Sequence, residues 1–210
     1  MTNAPGGAAL SGLLAELEER LRRWRAPILE AFRPGASAEQ VRSVLGAEGL
    51  AVPDAVVAWW GWHDGAEGVD VVEGPGVVET PENTLVDGWH VLSLADAIRI
   101  RRWTLADYAQ LGAPDTVPAS WIPLLHFTGS PYLAADTAAP EGGSPLYVVD
   151  GSAGLPEREP QPQFPSLDEL VTALIGLFDD GVVRPDPDDA RVPSLRGSPD
   201  TETVRSLTRW

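Results

Sequence analysis

The chain reads as an α+β fold, a single domain with a twisted, mainly antiparallel sheet and helices packed against it. Three observations predict this. Apolar residues recur at helical spacing near the start and again at residues 167–178. Between them, "WIPLLHF", "PYLAAD" and "SPLYVVD" follow one another as strand-length runs bounded by Gly, Pro or Asp. The gaps between these runs are too short for parallel crossovers, so they pair antiparallel. A length of 210 residues with 43% apolar content suits one domain with decorated ends.

Each element has its own justification. Residues 1–9 are small and Gly-rich and are expected to fray. Residues 10–36 form an N-terminal helical extension: Leu10, Leu13, Leu14, Leu17, Leu21 and Trp24 make one stripe. Pro27 bends or ends that helix, and Ile28, Leu29 and Phe32 add a turn before Pro34-Gly35. Residues 37–181 form the main domain. Ser37 and Gln40 are spaced as a capping box ahead of a buried face of Val41, Val44 and Leu45, with Gly46 or Gly49 as the stop. Pro53 opens the next helix, which carries Val56, Val57, Trp59 and Trp60 and closes at "HDG". There Asp64 bonds locally to the backbone and Gly65 takes a positive φ.

"GVDVV" is a short strand, "EGPG" and "PENTLVDG" are turns, and "WHVLSL" is a strand running into a helix near Ser93. That helix has Leu94, Ala97, Ile98, Leu105, Tyr108 and Leu111 on its periodic face, with Arg99, Arg101 and Arg102 as a solvated face. After the three strands, residues 151–163 form a loop. A last helix opens at Ser166 with Glu169 three residues on, buries Leu167, Leu170, Val171, Leu174, Ile175 and Phe178, and ends at Gly181. Residues 182–210 are an arm or tail, and Trp210 favours an arm laid over the domain.

Charge and composition narrow the function. With 31 Asp and Glu against 15 Lys and Arg, the net charge is −16, which repels nucleic-acid phosphates and anionic lipid and favours a basic partner. The absence of cysteine removes disulfides, thiolate chemistry and zinc–sulfur sites, in keeping with a cytoplasmic protein. The first residues have no signal-peptide pattern, and no apolar run is long enough for a membrane span.

Local motifs for chemistry are weak. His63 and Asp64 are adjacent, and neighbours seldom present both side chains to one substrate atom. Trp59 and Trp60 differ by about 100° around a helix, so one can be core and the other a marginal binding anchor. His90 and His126 lie in strands and could meet, with Asp136 as a third ligand. "DPDD" at 186–189 lacks the central Gly and closing Glu of a calcium loop. No nucleotide-binding motif is present, and no spacing selects a glycosidase-type carboxylate pair. The expectation is therefore no catalytic residue, no cofactor and no metal. For partner binding, the acidic loop region offers Glu67, Asp70, Glu73, Glu79 and Glu82 as candidates.

The order of the pieces carries a resemblance. "SAEQVRSVLGAEGLAVPDAVVAWWGWHDG", "WHVLSLADAI", "WIPLLHFTGSPYLAAD" and "SLDELVTALIGLF" together resemble the SUKH superfamily over residues 37–180. On that resemblance Pro53 takes the family's proline position, Trp60 an aromatic position, and Asp64-Gly65 the turn. Trp89 and Leu92 match its middle strand, Trp121 and Pro123 its W-x-P strand, Gly129 the following turn, and Asp136 the next strand's end. "EGGSPLYVV" departs from the family by placing Ser144-Pro145 where a glycine is common.

The superfamily includes yeast regulators of cell-wall assembly and bacterial immunity proteins against polymorphic toxins. The resemblance implies a noncatalytic protein-binding domain, foremost an immunity protein that neutralises a toxin by direct binding, and the net charge of −16 suits a basic toxin domain as that partner. A regulatory scaffold linked to cell-wall assembly and a hydrolase using dispersed carboxylates are the alternatives.

Overall fold

The computed structural model describes residues 5–71, 77–79, 83–86, 88–128, 131–139, 143–150, 160–185 and 193–195. The chain runs α1 (Pro5–Trp24), α2 (Ile28–Ala31), β1 (Phe32–Pro34), α3 (Ala38–Ala47), α4 (Asp54–Trp62), β2 (His63–Ala66), β3 (Val69–Val71) and β4 (Val77–Glu79). It continues through β5 (Trp89–Val91), α5 (Leu94–Gln110), β6 (Trp121–Phe127), β7 (Pro131–Asp136), β8 (Leu146–Asp150), α6 (Leu167–Asp179), β9 (Val183–Pro185) and β10 (Pro193–Leu195). The fold is α+β. Strands β5-β6-β7-β8 form the main sheet in that order, and β1-β2, β3-β4 and β9-β10 are separate ribbons. All strand pairings among the described residues are antiparallel.

Helix α1 begins at Pro5, so residues 5–9 are helical where fraying was expected. Proline suits a first helical position because its missing N–H would have no intrahelical partner there. Leu10, Leu14, Leu17 and Leu21 are buried on one stripe against α4 and α6. Each contributes about 1.5–3 kcal/mol of burial. The contact with α6 is reinforced by Arg20, whose Nε and Nη2 donate to the two Asp179 carboxylate oxygens at 3.1 Å each. Trp24 and Phe178 meet at 6.0 Å between ring centroids.

The helix stops before Pro27. Ala26 N–H reaches back to the Leu21 carbonyl and Arg25 N–H to that of Arg22, with Arg25 at φ +57°. These two bonds make a Schellman ending at a position where glycine is more usual.

The segment Phe32–Pro34 differs from the helical turn expected there. It is a strand paired with β2, Phe32 opposite Ala66 and Pro34 opposite His63. Proline disfavours the helical region for the residue before it, so Arg33 goes extended. Helix α3 has both halves of its capping box, Ser37 accepting from Gln40 N–H and Gln40 accepting from Ser37 N–H. Val41 and Leu45 are buried, but Val44 is 37% exposed and does not join them. Gly46 lies within the helix, and the stop is Gly49 at φ +71°. In α4, capped by Pro53, Val56, Val57, Trp59 and Trp60 are all buried, and the helix packs on α1 and α3.

The central strands are covered on both faces. Trp121–His126 of β6 and Pro131–Ala135 of β7 are buried without alternation. On one face, His90, His126, Tyr132 and Val149 stand in register across four strands. Tyr132 on that face donates its hydroxyl to Thr104 of α5 at 3.1 Å. Helix α5 is capped by Ser93 and buries Leu94, Ala97, Ile98, Ile100, Arg101, Thr104 and Tyr108. Leu111 falls after its last turn and is 58% exposed, off the expected stripe. Helix α6 opens at the Ser166 cap and buries its expected leucine and valine face, with Phe178 half-buried. Beyond it, β9 and β10 form a ribbon, and Val183 is buried. The "DPDD" segment and Trp210 lie outside the described residues.

Candidate partner-binding surface

"WWGWHDG" is a packing and joining device. Trp59 and Trp60 are both fully buried, and the Trp60 indole N–H donates to the Leu92 carbonyl at 3.2 Å. Trp62 is half-buried and donates to Glu18 at 2.9 Å. His63 stacks on Phe32, with centroids 3.9 Å apart and planes 11° from parallel. Its Nδ1 lies 3.2 Å from the Arg33 carbonyl. A carbonyl only accepts, so Nδ1 carries the proton and the neutral ring has its lone pair on Nε2. Burial pushes the His63 pKa down against the weaker upward pull of the Arg33 contact and of Glu18.

Asp64 does not bond locally, as the turn reading expected. Its Oδ1 accepts from Leu94 N–H at 2.7 Å and so ties β2 to the first turn of α5. Gly65 has the expected positive φ, +78°, but as a residue of strand β2. A Cβ at this position would stand 2.5 Å from the Ser93 backbone nitrogen. The "DG" pair thus draws β2 onto the start of α5 twice, by one hydrogen bond and by one absent side chain.

His90 and His126 do meet, as directly opposed residues of β5 and β6, and both are buried. Asp136 does not join them. It pairs with Trp121 at the other end of β6, about 13 Å along the strands from the Tyr132 level, and it caps Ala138 N–H. Among the described residues no three His or carboxylate side chains are grouped to hold a metal ion.

The acidic candidates are divided. Glu67 is exposed in the turn after β2, and its carbonyl accepts from the Asn83 side chain. Asp70 and Glu79 belong to the β3–β4 ribbon, opposite Val78 and Val69 respectively. Glu73 and Glu82 lie outside the described residues.

A different surface is assembled by the fold. Helices α3 and α5 wall an open groove of about 730 Å³, lined by Glu39, Ser43, Val44, Ala47 and Glu48 on one side. Leu94, Ala95, Ile98 and Arg102 line the other, and Ala36, Ser37, Gln40 and Asp64 complete the lining. Val44 and Leu111 are the two exposed large apolar side chains among the described residues, so Val44 gives this groove an uncovered apolar point.

At one end Glu48 sits between two arginines. Arg101 was expected on a solvated face with Arg99 and Arg102, but it is only 9% exposed. Its guanidinium donates to the Ala119 carbonyl from Nε and Nη2, at 3.2 and 2.6 Å, and to Glu48 from Nη1 at 3.2 Å. Arg102 grips Glu48 from the solvent side through Nε and Nη2. Its hydrogen bond, and after it the charges of both arginines, hold the Glu48 carboxyl below its ordinary range. A general acid needs the opposite shift, so this carboxylate is suited to holding cations.

Of the positions that carry the SUKH resemblance, Asp64 lines this groove, and the others have structural parts elsewhere in the fold. Pro53 caps α4. Trp60 bonds Leu92, between β5 and α5, and Asp64 and Gly65 seat the start of α5 itself. Trp89 packs on Phe127 at 5.3 Å, and Leu92 is buried and donates its N–H to Leu124. Trp121 stacks on Tyr147 at 4.1 Å, and Pro123 sits beside the irregularity in the β6–β7 register. Gly129 lies outside the described residues. No helix among the described residues is long and apolar enough to cross a membrane. No family model matches the chain, and no curated protein matches it.

Proposed function

We propose that this chain is a noncatalytic protein-binding domain that neutralises a basic partner by occupying it, as immunity proteins of the SUKH kind do. The observation that carries the reading is the α3–α5 groove, where exposed Val44 lies among carboxylates in a chain of net charge −16. Apolar contact supplies affinity, and opposite charge supplies rate and selectivity. The resemblance supports the same reading: Pro53, Trp60, Asp64 and Gly65 among its positions have structural parts in joining α4, β2 and the start of α5.

The test pairs the whole chain with the product of the neighbouring reading frame in its genome. A one-to-one complex by calorimetry, together with protection of cells expressing that product, is the expected result. No complex and no protection would remove the immunity reading. The acidic segment after β2 is tested on the same complex by stopped-flow association at several salt concentrations. If that segment steers the partner, neutralising Glu67, Asp70 and Glu73 together lowers the association rate most at low ionic strength. A rate indifferent to both salt and this change excludes it as the docking surface.

A further inference from the structure

We propose that the α3–α5 groove receives a basic amphipathic helix of the partner, and that one cation of this helix takes the place of Arg102 on Glu48. The inference rests on the reading of the chain as a protein-binding domain and names the chemistry of what it binds.

The geometry suits a helix. Glu39, Ser43, Val44, Ala47 and Glu48 form a stripe along α3, at spacings of four, one, three and one. The stripe runs about 13 Å, the length of two and a half turns of a second helix lying alongside. Leu94, Ala95 and Ile98 face it from α5, so the walls are apolar between charged ends. A helix docked in a groove presents anchors at i, i+3, i+4 and i+7, and Val44 and Ala47 on α3, facing Ala95 on α5, offer small apolar surface for such anchors.

Charge selects the sign. The groove is lined by three carboxylates, Glu39, Glu48 and Asp64, against Arg102, and with Arg101 behind Glu48 the balance is still negative. Asp64 already holds Leu94 N–H and stays with the fold. Glu39 is exposed and has no ion pair among the described residues.

Glu48 is held from behind and covered from in front. Its side chain is 11% exposed and is fixed by Arg101, whose own side chain is 10% exposed and anchored to Ala119. Arg102, at 67% exposure, occupies the outer side of the same carboxylate. An exposed arginine on a carboxylate contributes little to stability, so exchanging it for another guanidinium is nearly neutral. The exchange keeps Glu48 paired throughout, which avoids leaving a half-buried carboxylate bare. Arg102 is thus a built-in competitor, and its removal should strengthen binding.

The probe is a display library of 16-residue helices with Arg or Lys fixed at the flanks and Ala, Leu, Val or Ile varied along one face. It is selected against the whole chain. Selected peptides should gain helical circular dichroism on binding. Arg102→Ala should tighten them about three- to fivefold, the effect of one exposed pair, and Val44→Ser should weaken them by a similar factor with no change of charge. Both substitutions are on exposed side chains, and urea titration checks that the fold is intact.

Failure to enrich any helix, equal binding of scrambled basic peptides, or indifference to both substitutions would overturn the inference. So would a dimer, seen by sedimentation, that Val44→Ser dissociates and the peptides do not, because the groove would then belong to a second copy. A chain that binds its natural partner with affinity unchanged by Arg102→Ala and Val44→Ser leaves the protein-binding reading standing and removes this one.

Discussion

Replacing Gly65 with alanine tests how β2 is seated on α5. Two costs are readable separately. Gly65 has φ +78°, and an L-residue held there costs about 1–2 kcal/mol. An added Cβ would also stand 2.5 Å from Ser93 N, 2.9 Å from its Cα and 3.0 Å from its Cβ. Backbone must therefore move, at a further ~1–3 kcal/mol of the kind seen on overpacking a core. The sum is about 2–5 kcal/mol. With a urea slope of about 2–3 kcal/mol per molar, the unfolding midpoint should fall by roughly 1–2 M.

Two other glycines separate the terms. Gly49 has φ +71° and no atom within 4 Å of an added Cβ, so Gly49→Ala should show the backbone cost alone. Gly46 lies inside α3 with open space around it, so Gly46→Ala should stabilise by about 0.5–1 kcal/mol. If Gly65→Ala costs no more than Gly49→Ala, the close approach of Ser93 is not what requires glycine at this position.

Trp60→Ala should cost about 3–5 kcal/mol in the same titration, since the ring is fully buried and bonded to Leu92. A loss below about 1 kcal/mol with a large loss of partner binding would make Trp60 an interface residue instead. His63 has a folded-state pKa pushed down by burial, so the unfolded chain binds its proton first. Its contribution is therefore intact above about pH 6.5 and is lost as pH falls below that value. Stability measured from pH 8 to 5 should decline less steeply in His63→Gln than in the wild type, and equal slopes would refute the assignment. Ser144 is buried at φ +44° with a hydroxyl that has no partner among the described residues. Ser144→Gly should raise stability by about 1 kcal/mol and the melting temperature by roughly 2–4 °C; a lower melting temperature would show that the hydroxyl is paired.

What was legible in the sequence was what neighbours in the chain decide. The Ser37–Gln40 and Ser166–Glu169 spacings mark helix starts because a cap bonds within three residues. The β6, β7 and β8 strands are legible because turn residues bound each of them. Phe32–Pro34 was missed because a three-residue strand has no pattern of its own, and its partner lies about thirty residues on. The bond of Asp64 is hidden for the same reason: its partner, Leu94 N–H, lies thirty residues on. Arg101 was legible and misread. It falls on the stripe of Leu94, Ala97, Ile98, Thr104 and Tyr108, and the Ala119 carbonyl and Glu48 pair its guanidinium there. The groove could not be read from the sequence at all, because its walls are the outer stripes of two helices fifty residues apart.

The contact of α1 with α6 sets the order in which this molecule can be made. The leucine stripe of α1 is covered partly by α4 and partly by α6, and Arg20 closes on Asp179 across 159 positions of sequence. During synthesis the stripe leaves the ribosome long before α6 exists. At about 5–20 residues per second, the gap between the end of α1 and the end of α6 is roughly 8–30 s. Even after α4 has been made, the part of the Leu10, Leu14, Leu17 and Leu21 stripe that α6 covers stays apolar and open on the nascent chain, to chaperones and to neighbouring chains. Burial of the stripe is complete only when α6 arrives, so a chain arrested before residue 167 should be the species that cells hold or degrade.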